Sequence, residues 1–254
     1  MLTQLNGASI HLVQADRGTD SLRNNVAHHV GDDFQLVKER RQLLASEFER
    51  PILWMNQTHS HVIGLVVMTA DGHPTLNLDT HASTLNLSDP MDTIEADGVI
   101  IDARGWQDAP GIAVMTADCL PIVLSTADGT IVAAVHAGRK GLFDGIITRA
   151  VTLMRRLAPS HDIEAYIAPA ICGDCYEVPA QMRDECAVER PESASRTSWG
   201  TPALDLPRAA QAELRALGCT HIEIDPRCTL EDPTLHSYRR DRECGRNATI
   251  IFPA

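Results

Sequence analysis

The chain has 254 residues, of which 44% are hydrophobic and 22% charged, so we expect a globular protein of one large or two small domains. Its formal net charge is −12, which disfavours binding to nucleic acid and to anionic membranes but permits a small anionic substrate in a local basic pocket. No transmembrane-length apolar run and no signal peptide are visible, so we expect a cytoplasmic protein whose seven cysteines are reduced.

The first third of the chain predicts a strand, a helix and a second extended segment. Residues 10–14 are the candidate strand. Apolar side chains then follow a helical spacing as far as Phe48, with Asp32 or Asp33 as the N-cap and Pro51 as the end. The extended segment and the loop after it cover residues 51–68 and 70–92.

The middle of the chain is the most regular part. Four short apolar runs, separated by turn signals, predict strands that are buried on both faces. They cover residues 97–103, 111–117, 120–125 and 130–137.

The last part of the chain predicts two helices, three strands and one exposed, charged excursion. In chain order these are a helix over 142–157, a strand over 164–171, the excursion over 183–202, a helix over 207–217 capped by Asp205, and strands over 221–225 and 248–252. Helices interrupt the strands irregularly and no change of composition marks a linker. We therefore expect an α+β fold in a single domain spanning residues 1–254.

Three strand ends carry side chains that bind metals or react, namely His59, Cys119 and His136. One thiolate and two imidazoles suit Zn²⁺, and three protein ligands leave a fourth position open for water or substrate. Taken singly, Cys119 is more simply a small buried side chain and His136 a core histidine, because no short spacing links the three. His61 is an additional ligand or a surface residue. Asp118 is a proton acceptor for water or a substrate hydroxyl, or else a turn residue.

Two basic segments are candidate anion sites. Arg139 and Lys140 stand between two glycines, directly after the strand that contains His136, where backbone N–H groups and positive charge together suit an anion. Arg239 and Arg240 belong to the most basic segment of the chain, and arginine recognises phosphate and carboxylate bidentately. An ordinary turn or a solvated charge accounts for each segment equally well.

Cys172 and Cys175 form a lone CxxC motif. It is compatible with a zinc knuckle, with a redox pair and with two ordinary thiols, and the sequence leaves the choice open.

Six motifs occur in a fixed order along the chain: NQTHSHVI, EADGVIID, GIAVMTADCLPIVL, VAAVHAGRKGL, IAPAICGDCYEV and HSYRRDRECGRNATII. Together they resemble the multicopper polyphenol oxidase (laccase-domain) family, whose members are also described as purine nucleoside phosphorylases and, in some bacteria, as a peptidoglycan editing factor. The resemblance implies a zinc site formed by His59, Cys119 and His136, with copper as the alternative metal. It also implies one compact domain of two packed mixed sheets flanked by helices, an α/β/β/α sandwich.

The activity implied by this resemblance is zinc-dependent phosphorolysis of adenosine, inosine or methylthioadenosine, with adenosine deamination as a second reaction. The protein is then a monomer that acts on a purine nucleoside and phosphate. The chain differs from the family pattern at Arg139 and Lys140, which stand where the family has Trp and Arg. An aromatic side chain of the family site is therefore absent at this position. In this interpretation the catalytic residues are Asp118, Cys119 and His136, and the phosphate-binding residues are Arg139, Lys140, Arg239 and Arg240.

Three alternatives stay open. The first is an amidase that edits a cytosolic peptidoglycan precursor, using either zinc or Cys119 as a nucleophile; a zinc-bound thiolate is a poor nucleophile, so the two versions exclude each other. The second is a copper-dependent phenol oxidase, which is disfavoured because the chain has no His-Cys-His element. The third is a metal-stabilised binding module without catalysis.

Overall fold

The computed structural model describes residues 2–15, 20–78 and 81–254. Within these ranges the chain forms sixteen β-strands and five α-helices. The strands are β1 (Leu2–Leu5), β2 (Ala8–Val13), β3 (Ile52–Met55), β4 (Ile63–Met68), β5 (Pro74–Leu78), β6 (His81–Thr84), β7 (Thr93–Ile94), β8 (Gly98–Asp102), β9 (Gly111–Thr116), β10 (Leu120–Thr126), β11 (Ile131–Ala137), β12 (Ile163–Ile167), β13 (Ala194–Arg196), β14 (Pro202–Leu204), β15 (His221–Ile224) and β16 (Asn247–Phe252). The helices are α1 (Phe34–Glu47), α2 (Arg139–Phe143), α3 (Ile146–Leu157), α4 (Ala180–Glu189) and α5 (Leu206–Ala216).

Two large mixed sheets contain most of these strands. The six-stranded sheet has the order β1-β2-β16-β9-β3-β7, and the eight-stranded sheet has the order β15-β12-β10-β11-β8-β4-β5-β6. Most neighbours are antiparallel, whereas β3 runs parallel to β9 and β7, β4 to β8 and β12 to β15. A short hairpin of β13 and β14 lies outside both sheets.

The two sheets pack against each other, and helices cover their outer faces. One apolar cluster joins side chains of both sheets, for example Ile112 and Val114 of β9 with Val123 and Val132 of β10 and β11. A second cluster covers the eight-stranded sheet with α3 and α5, and a third places Phe48, just after α1, over the six-stranded sheet. This arrangement confirms the predicted α+β class and the α/β/β/α sandwich.

The strongest sequence signals correspond to observed elements. The four apolar runs in the middle of the chain are β8 to β11, and the strands β9, β10 and β11 are buried throughout. Asp33 and Asp205 cap α1 and α5, since their carboxylates accept hydrogen bonds from the backbone N–H groups of Leu36 and Arg208. The predicted helix over 142–157 is divided into α2 and α3 at Gly145, whose φ of 81° lies in the left-handed region.

One prediction of irregular structure was wrong, and a second segment contains secondary structure that the sequence did not indicate. The segment 70–92, predicted as a loop, contains β5 and β6, while its residues 79–80 lie outside the described ranges. These strands form the edge of the eight-stranded sheet and β6 is fully exposed, so their polar composition gives no alternating pattern. The predicted exposed excursion over 183–202 contains most of α4, all of β13 and the first residue of β14. Only Cys186 of α4 is buried, so the helix lacks an apolar stripe that sequence could reveal.

Among the described residues, no helix is both long and apolar enough to cross a membrane.

Candidate metal centre

His59, Cys119 and His136 meet where the chain passes between the two sheets. His59 lies in the connection from β3 to β4, Cys119 in the turn from β9 to β10, and His136 near the end of β11. In each of the two connections, one flanking strand belongs to each sheet. Each of the three side chains offers one ligand atom, and these atoms lie within 4.8 Å of one another. The structure therefore brings together the three residues that sequence spacing could not link.

The three side chains differ in their exposure to solvent. His136 is buried, Cys119 is partly buried and His59 is exposed. Cys119 Sγ lies 3.6 Å from His59 Nε2, and the two imidazole rings lie 4.7 Å apart at an interplanar angle of 74°. The three side chains would therefore hold a metal ion at the boundary between the core and the solvent.

Asp97, immediately before β8, fixes the orientation of this group from behind. Its Oδ1 lies 2.8 Å from His136 Nδ1, and its carboxylate also accepts hydrogen bonds from the backbone N–H groups of Thr58, His59 and Ser60. Burial raises the pKa of Asp97, but the hydrogen bonds from His136 and Ser60 outweigh it and lower the pKa to about 2. The ionised carboxylate only accepts hydrogen bonds, so His136 Nδ1 carries a hydrogen and Nε2 is the ring nitrogen that a metal would bind, with release of any proton held there.

The protonation of Cys119 also suits metal binding. Burial raises the pKa of its thiol, but hydrogen bonds with His136 and His59 outweigh burial and lower the pKa to about 6. The thiolate is the form that binds metals. Burial lowers the pKa of His136, whereas its hydrogen bonds with Asp97 and Cys119 raise it to about 9.

The backbone at Gly138 packs closely against the candidate ligands. A Cβ on Gly138 would lie 2.6 Å from His59 Cδ2 and 3.2 Å from Cys119 Sγ, so any larger residue would displace the ligands. One thiolate and two imidazoles form a donor set that zinc accepts, with the fourth position open. The residues present therefore fit a bound zinc ion.

Two cavities meet at Cys119. One has a volume of about 350 Å³ and is lined by His59, His136 and Gln57, among others. The other has a volume of about 400 Å³ and is lined by basic and aromatic side chains. Cys119 and Tyr238 line both cavities, so a ligand in the second cavity lies directly beside the metal ligands.

Asp118 lines the second cavity in a constrained conformation. Its φ is 95°, which is unfavourable for a residue with a side chain. Oδ1 accepts a hydrogen bond of 2.6 Å from the Thr229 hydroxyl, and Oδ2 accepts one of 2.6 Å from the Arg239 backbone N–H. The carboxylate is therefore held in one orientation at the edge of the cavity.

The four basic residues predicted to bind phosphate occupy different environments. Arg139 and Arg239 line the second cavity, together with Arg242. The Lys140 ammonium pairs with Asp144. The Arg240 guanidinium donates to the backbone carbonyls of four neighbouring residues, Thr229, Leu230, Asp232 and Leu235.

Several other residues of the site were not predicted from sequence. Asp97, Gly138 and Tyr176 lie within the motifs that carry the family resemblance, but their side-chain types did not indicate a role, and they reach the site only when distant segments converge. Arg242 lies in the basic segment that was recognised, so charge alone could have added it to the candidates. His61 Nδ1 lies 3.8 Å from Asp144 and the side chain is 43% exposed, which corresponds to the surface interpretation of this residue.

A family model described as multi-copper polyphenol oxidoreductase laccase matches residues 16–254. The chain belongs to this family. Among the solved structures similar to this laccase-family chain is a Neisseria meningitidis protein, with a TM-score of 0.79, 28% identity and coverage of 100% of this chain and 98% of that one. Another is YlmD from Geobacillus stearothermophilus, with a TM-score of 0.78, 28% identity and coverage of 98% and 93%.

Curated relatives carry a different name. A protein of Mycobacterium tuberculosis strain H37Rv, named purine nucleoside phosphorylase, is 38% identical over 232 residues, which cover 90% of this chain and 84% of the relative. A Streptomyces griseus protein of the same name is 38% identical over 233 residues, which cover 90% and 86%.

Proposed function

We propose that the protein is a zinc-dependent purine nucleoside phosphorylase that acts on adenosine, inosine or methylthioadenosine. The observation that carries this proposal is a cavity with three arginines beside a Cys-His-His ligand set, in a protein whose net charge is −12. A local concentration of guanidinium groups in an acidic protein favours a small anion over a polyanion. The names of the curated relatives support the same substrate class.

The second cavity has the features that phosphate and a nucleoside require. Arg139, Arg239 and Arg242 offer hydrogen-bond donors and positive charge to phosphate. Tyr176 and Tyr238 line the same space and offer aromatic faces to a purine. The Arg239 guanidinium lies 5.2 Å from the Tyr176 ring centre, so the aromatic and basic surfaces adjoin.

Phosphorolysis joins a phosphate oxygen to C1′ of the ribose and breaks the bond from C1′ to the purine nitrogen. The arginines hold the attacking phosphate, and Asp118 accepts a hydrogen bond from a ribose hydroxyl or a proton from phosphate. His59, Cys119 and His136 would hold zinc, which supplies a Lewis acid beside the same cavity. The same carboxylate and metal would serve deamination of adenosine, with water in place of phosphate.

A second candidate function is the amidase reaction, and one observation favours it. Cys119, His136 and Asp97 are ordered like a nucleophile, a base and an orienting carboxylate, and the pKa of Cys119 is lowered to about 6. In a metal-free protein Cys119 is then the nucleophile toward an amide of a peptidoglycan precursor. The metal-dependent and thiol-dependent reactions are alternatives, because zinc would occupy the thiolate.

The test uses purified, zinc-loaded protein with adenosine, with and without phosphate, followed by chromatography. Adenine and ribose 1-phosphate formed only with phosphate would support phosphorolysis, and inosine formed without phosphate would support deamination. His59→Ala and His136→Ala should abolish both zinc binding and turnover. His161→Ala, which removes a surface histidine that pairs with Asp128, is the matched control. Absence of both products, or full activity of metal-free variants, contradicts the proposal. Release of an amino acid from the precursor then supports the amidase.

A further inference from the structure

We propose that Cys172, Cys175, Cys228 and Glu231 form a second metal site, for zinc or another thiophilic divalent cation with a structural role. Each of these residues offers one ligand atom, and the four atoms lie within 4.8 Å of one another. The proposal does not depend on the activity proposed above, because it concerns a different set of ligands.

The four ligands come from two turns that are far apart in sequence. Cys172 and Cys175 lie between β12 and α4, and Cys228 and Glu231 lie between β15 and β16. Cys175 and Cys228 are only 3% and 4% exposed, Cys172 is partly buried and Glu231 is exposed. The cluster therefore has a buried thiol side and a carboxylate at its solvent edge, which would close a four-coordinate site.

Backbone hydrogen bonds hold both of these turns in a compact conformation. The N–H groups of Cys175 and Tyr176 donate to the carbonyl of Cys172, which folds the CxxC segment into a tight turn. The N–H groups of Glu231 and Asp232 donate to the carbonyl of Cys228 in the same way. No rearrangement of either chain segment is needed to point the thiols at one position.

Direct contacts connect the two turns. The backbone N–H of Cys172 donates to Cys228 Sγ at 3.4 Å, and an amide N–H directed at sulfur stabilises the thiolate form that binds metal. Ala170 and Cys228 form a parallel bridge, and the Thr229 N–H donates to the Ala170 carbonyl at 3.1 Å. The cysteines are thus preorganised as a group of three, beyond the pair that the CxxC motif contains.

The donor chemistry selects the kind of ion. Three cysteine sulfurs are soft ligands that favour zinc over magnesium or calcium, which prefer oxygen, and zinc also accepts one carboxylate oxygen. The His59–Cys119–His136 centre has a single thiolate, so the two sites differ in their spectroscopic signature.

The position of the cluster gives it a structural consequence. Ile171, which precedes Cys172, donates its N–H to the Asp118 carbonyl at 3.0 Å. Thr229, which follows Cys228, donates its hydroxyl to the Asp118 carboxylate. A metal that fixes both turns would therefore fix Asp118 from two sides.

The experiment measures metal content and ligand type in the whole protein. After reconstitution with zinc and gel filtration, elemental analysis should give two zinc ions per chain in the wild type and one in Cys175→Ser and in Cys228→Ser. The double variant His59→Ala/His136→Ala should also retain one. Cys186→Ser and Cys219→Ser remove buried thiols outside both clusters and should retain two.

Cobalt replacement identifies the ligands. The wild type should show intense thiolate-to-cobalt charge-transfer absorption, which Cys228→Ser reduces strongly and His59→Ala/His136→Ala reduces little. Because a buried cysteine variant can fail to fold, Glu231→Gln provides a milder test at an exposed position. It should weaken zinc binding at this site by about tenfold or more, whereas Glu243→Gln should not.

One zinc ion per chain in both the wild type and Cys228→Ser would overturn the proposal. So would isolation of the reconstituted protein with Cys172 and Cys175 joined as a disulfide. Two bound zinc ions in a protein without phosphorylase activity would refute the proposed function and support the second site, so the two failures are distinguishable.

Discussion

His136 Nδ1 lies 2.8 Å from Asp97 Oδ1, and the two side chains are only 3% and 0% exposed. The same carboxylate accepts backbone hydrogen bonds from Thr58, His59 and Ser60. One buried carboxylate therefore orients one ligand ring and anchors the loop that carries another. Its loss should affect metal binding and stability together.

Asp97→Asn tests this arrangement. The amide keeps the volume of the side chain but turns an N–H group toward other N–H donors, and it no longer balances the charge on His136. We expect zinc affinity at the His59–Cys119–His136 centre to fall by about 10- to 100-fold. The free energy of unfolding should fall by about 3 kcal/mol or more. Competition with a chelator and urea denaturation measure the two effects.

The control for this substitution is Asp102→Asn, at the end of β8, the strand that Asp97 precedes. Asp102 pairs with the exposed side chain of Arg104, and a surface pair contributes little stability. Wild-type zinc affinity in Asp97→Asn would show that the carboxylate does not orient the metal ligands.

How far the sequence predicted the fold depended on how strongly each element is patterned. The buried strands β8 to β11 and the helices capped by Asp33 and Asp205 carry local signals that require no tertiary knowledge. The last two strands of the eight-stranded sheet, β5 and β6, and helix α4 bury few side chains, so their sequences resemble loops. Local sequence can reveal an element only where burial forces a periodic pattern.

The candidate site was predictable only where a residue has intrinsic metal chemistry. His59, Cys119 and His136 were recognised from their side-chain types and from the family motifs. Asp97 was not, because a carboxylate before a strand is common and its role depends on which rings fold over it. Cys228 could not be joined to the CxxC motif either, since its position beside Cys172 follows from the pairing of β15 with β12.

His236 should make stability depend on pH. It is 1% exposed, and its Nε2–H donates to the Arg23 carbonyl at 3.0 Å. Burial, followed by the charges of nearby arginines, lowers its pKa to about 4 from an ordinary value of 6.5. As the pH falls from 6.5 toward 4, His236 becomes protonated in the unfolded chain but stays neutral in the folded protein. The free energy of unfolding therefore decreases over this range.

The size of this effect follows from the shift in the pKa of His236. Between pH 7 and pH 5 the contribution of this residue should decrease by about 2 kcal/mol, at 1.36 kcal/mol per pKa unit. His236→Gln should lower stability at pH 7 and should lose that part of the pH dependence. Urea denaturation of both proteins at the two pH values measures the difference, and parallel curves would contradict the prediction. His73→Gln, at an exposed position, is the control.

Arg139 should contribute to binding of phosphate. Arg139 lines the cavity that contains Asp118, and a charge-assisted hydrogen bond is typically worth about 1.5–3 kcal/mol. Arg139→Ala should therefore raise the KM for phosphate by about 10- to 100-fold while the KM for adenosine changes little. Initial rates at varied phosphate concentration measure this. The control is Arg183→Ala, which removes a surface arginine paired with Asp184 and should leave the KM for phosphate at the wild-type value. An unaltered KM for phosphate in Arg139→Ala would show that Arg139 does not bind phosphate.

Asp118 and Thr229 should separate catalysis from metal binding. Asp118 holds no ligand atom in the His59–Cys119–His136 group, yet its carboxylate lines the adjoining cavity and accepts the Thr229 hydroxyl at 2.6 Å. Asp118→Asn should lower kcat by about 10²- to 10⁴-fold, the usual contribution of a general acid or base, with zinc content unchanged.

Thr229→Val removes only the positioning hydrogen bond, so kcat should fall by a smaller factor with KM unchanged. Elemental analysis and steady-state kinetics on the same samples measure both. Loss of zinc in Asp118→Asn would give this carboxylate a structural role in the metal centre, and a larger loss of kcat in Thr229→Val than in Asp118→Asn would show that the hydroxyl acts on the substrate directly.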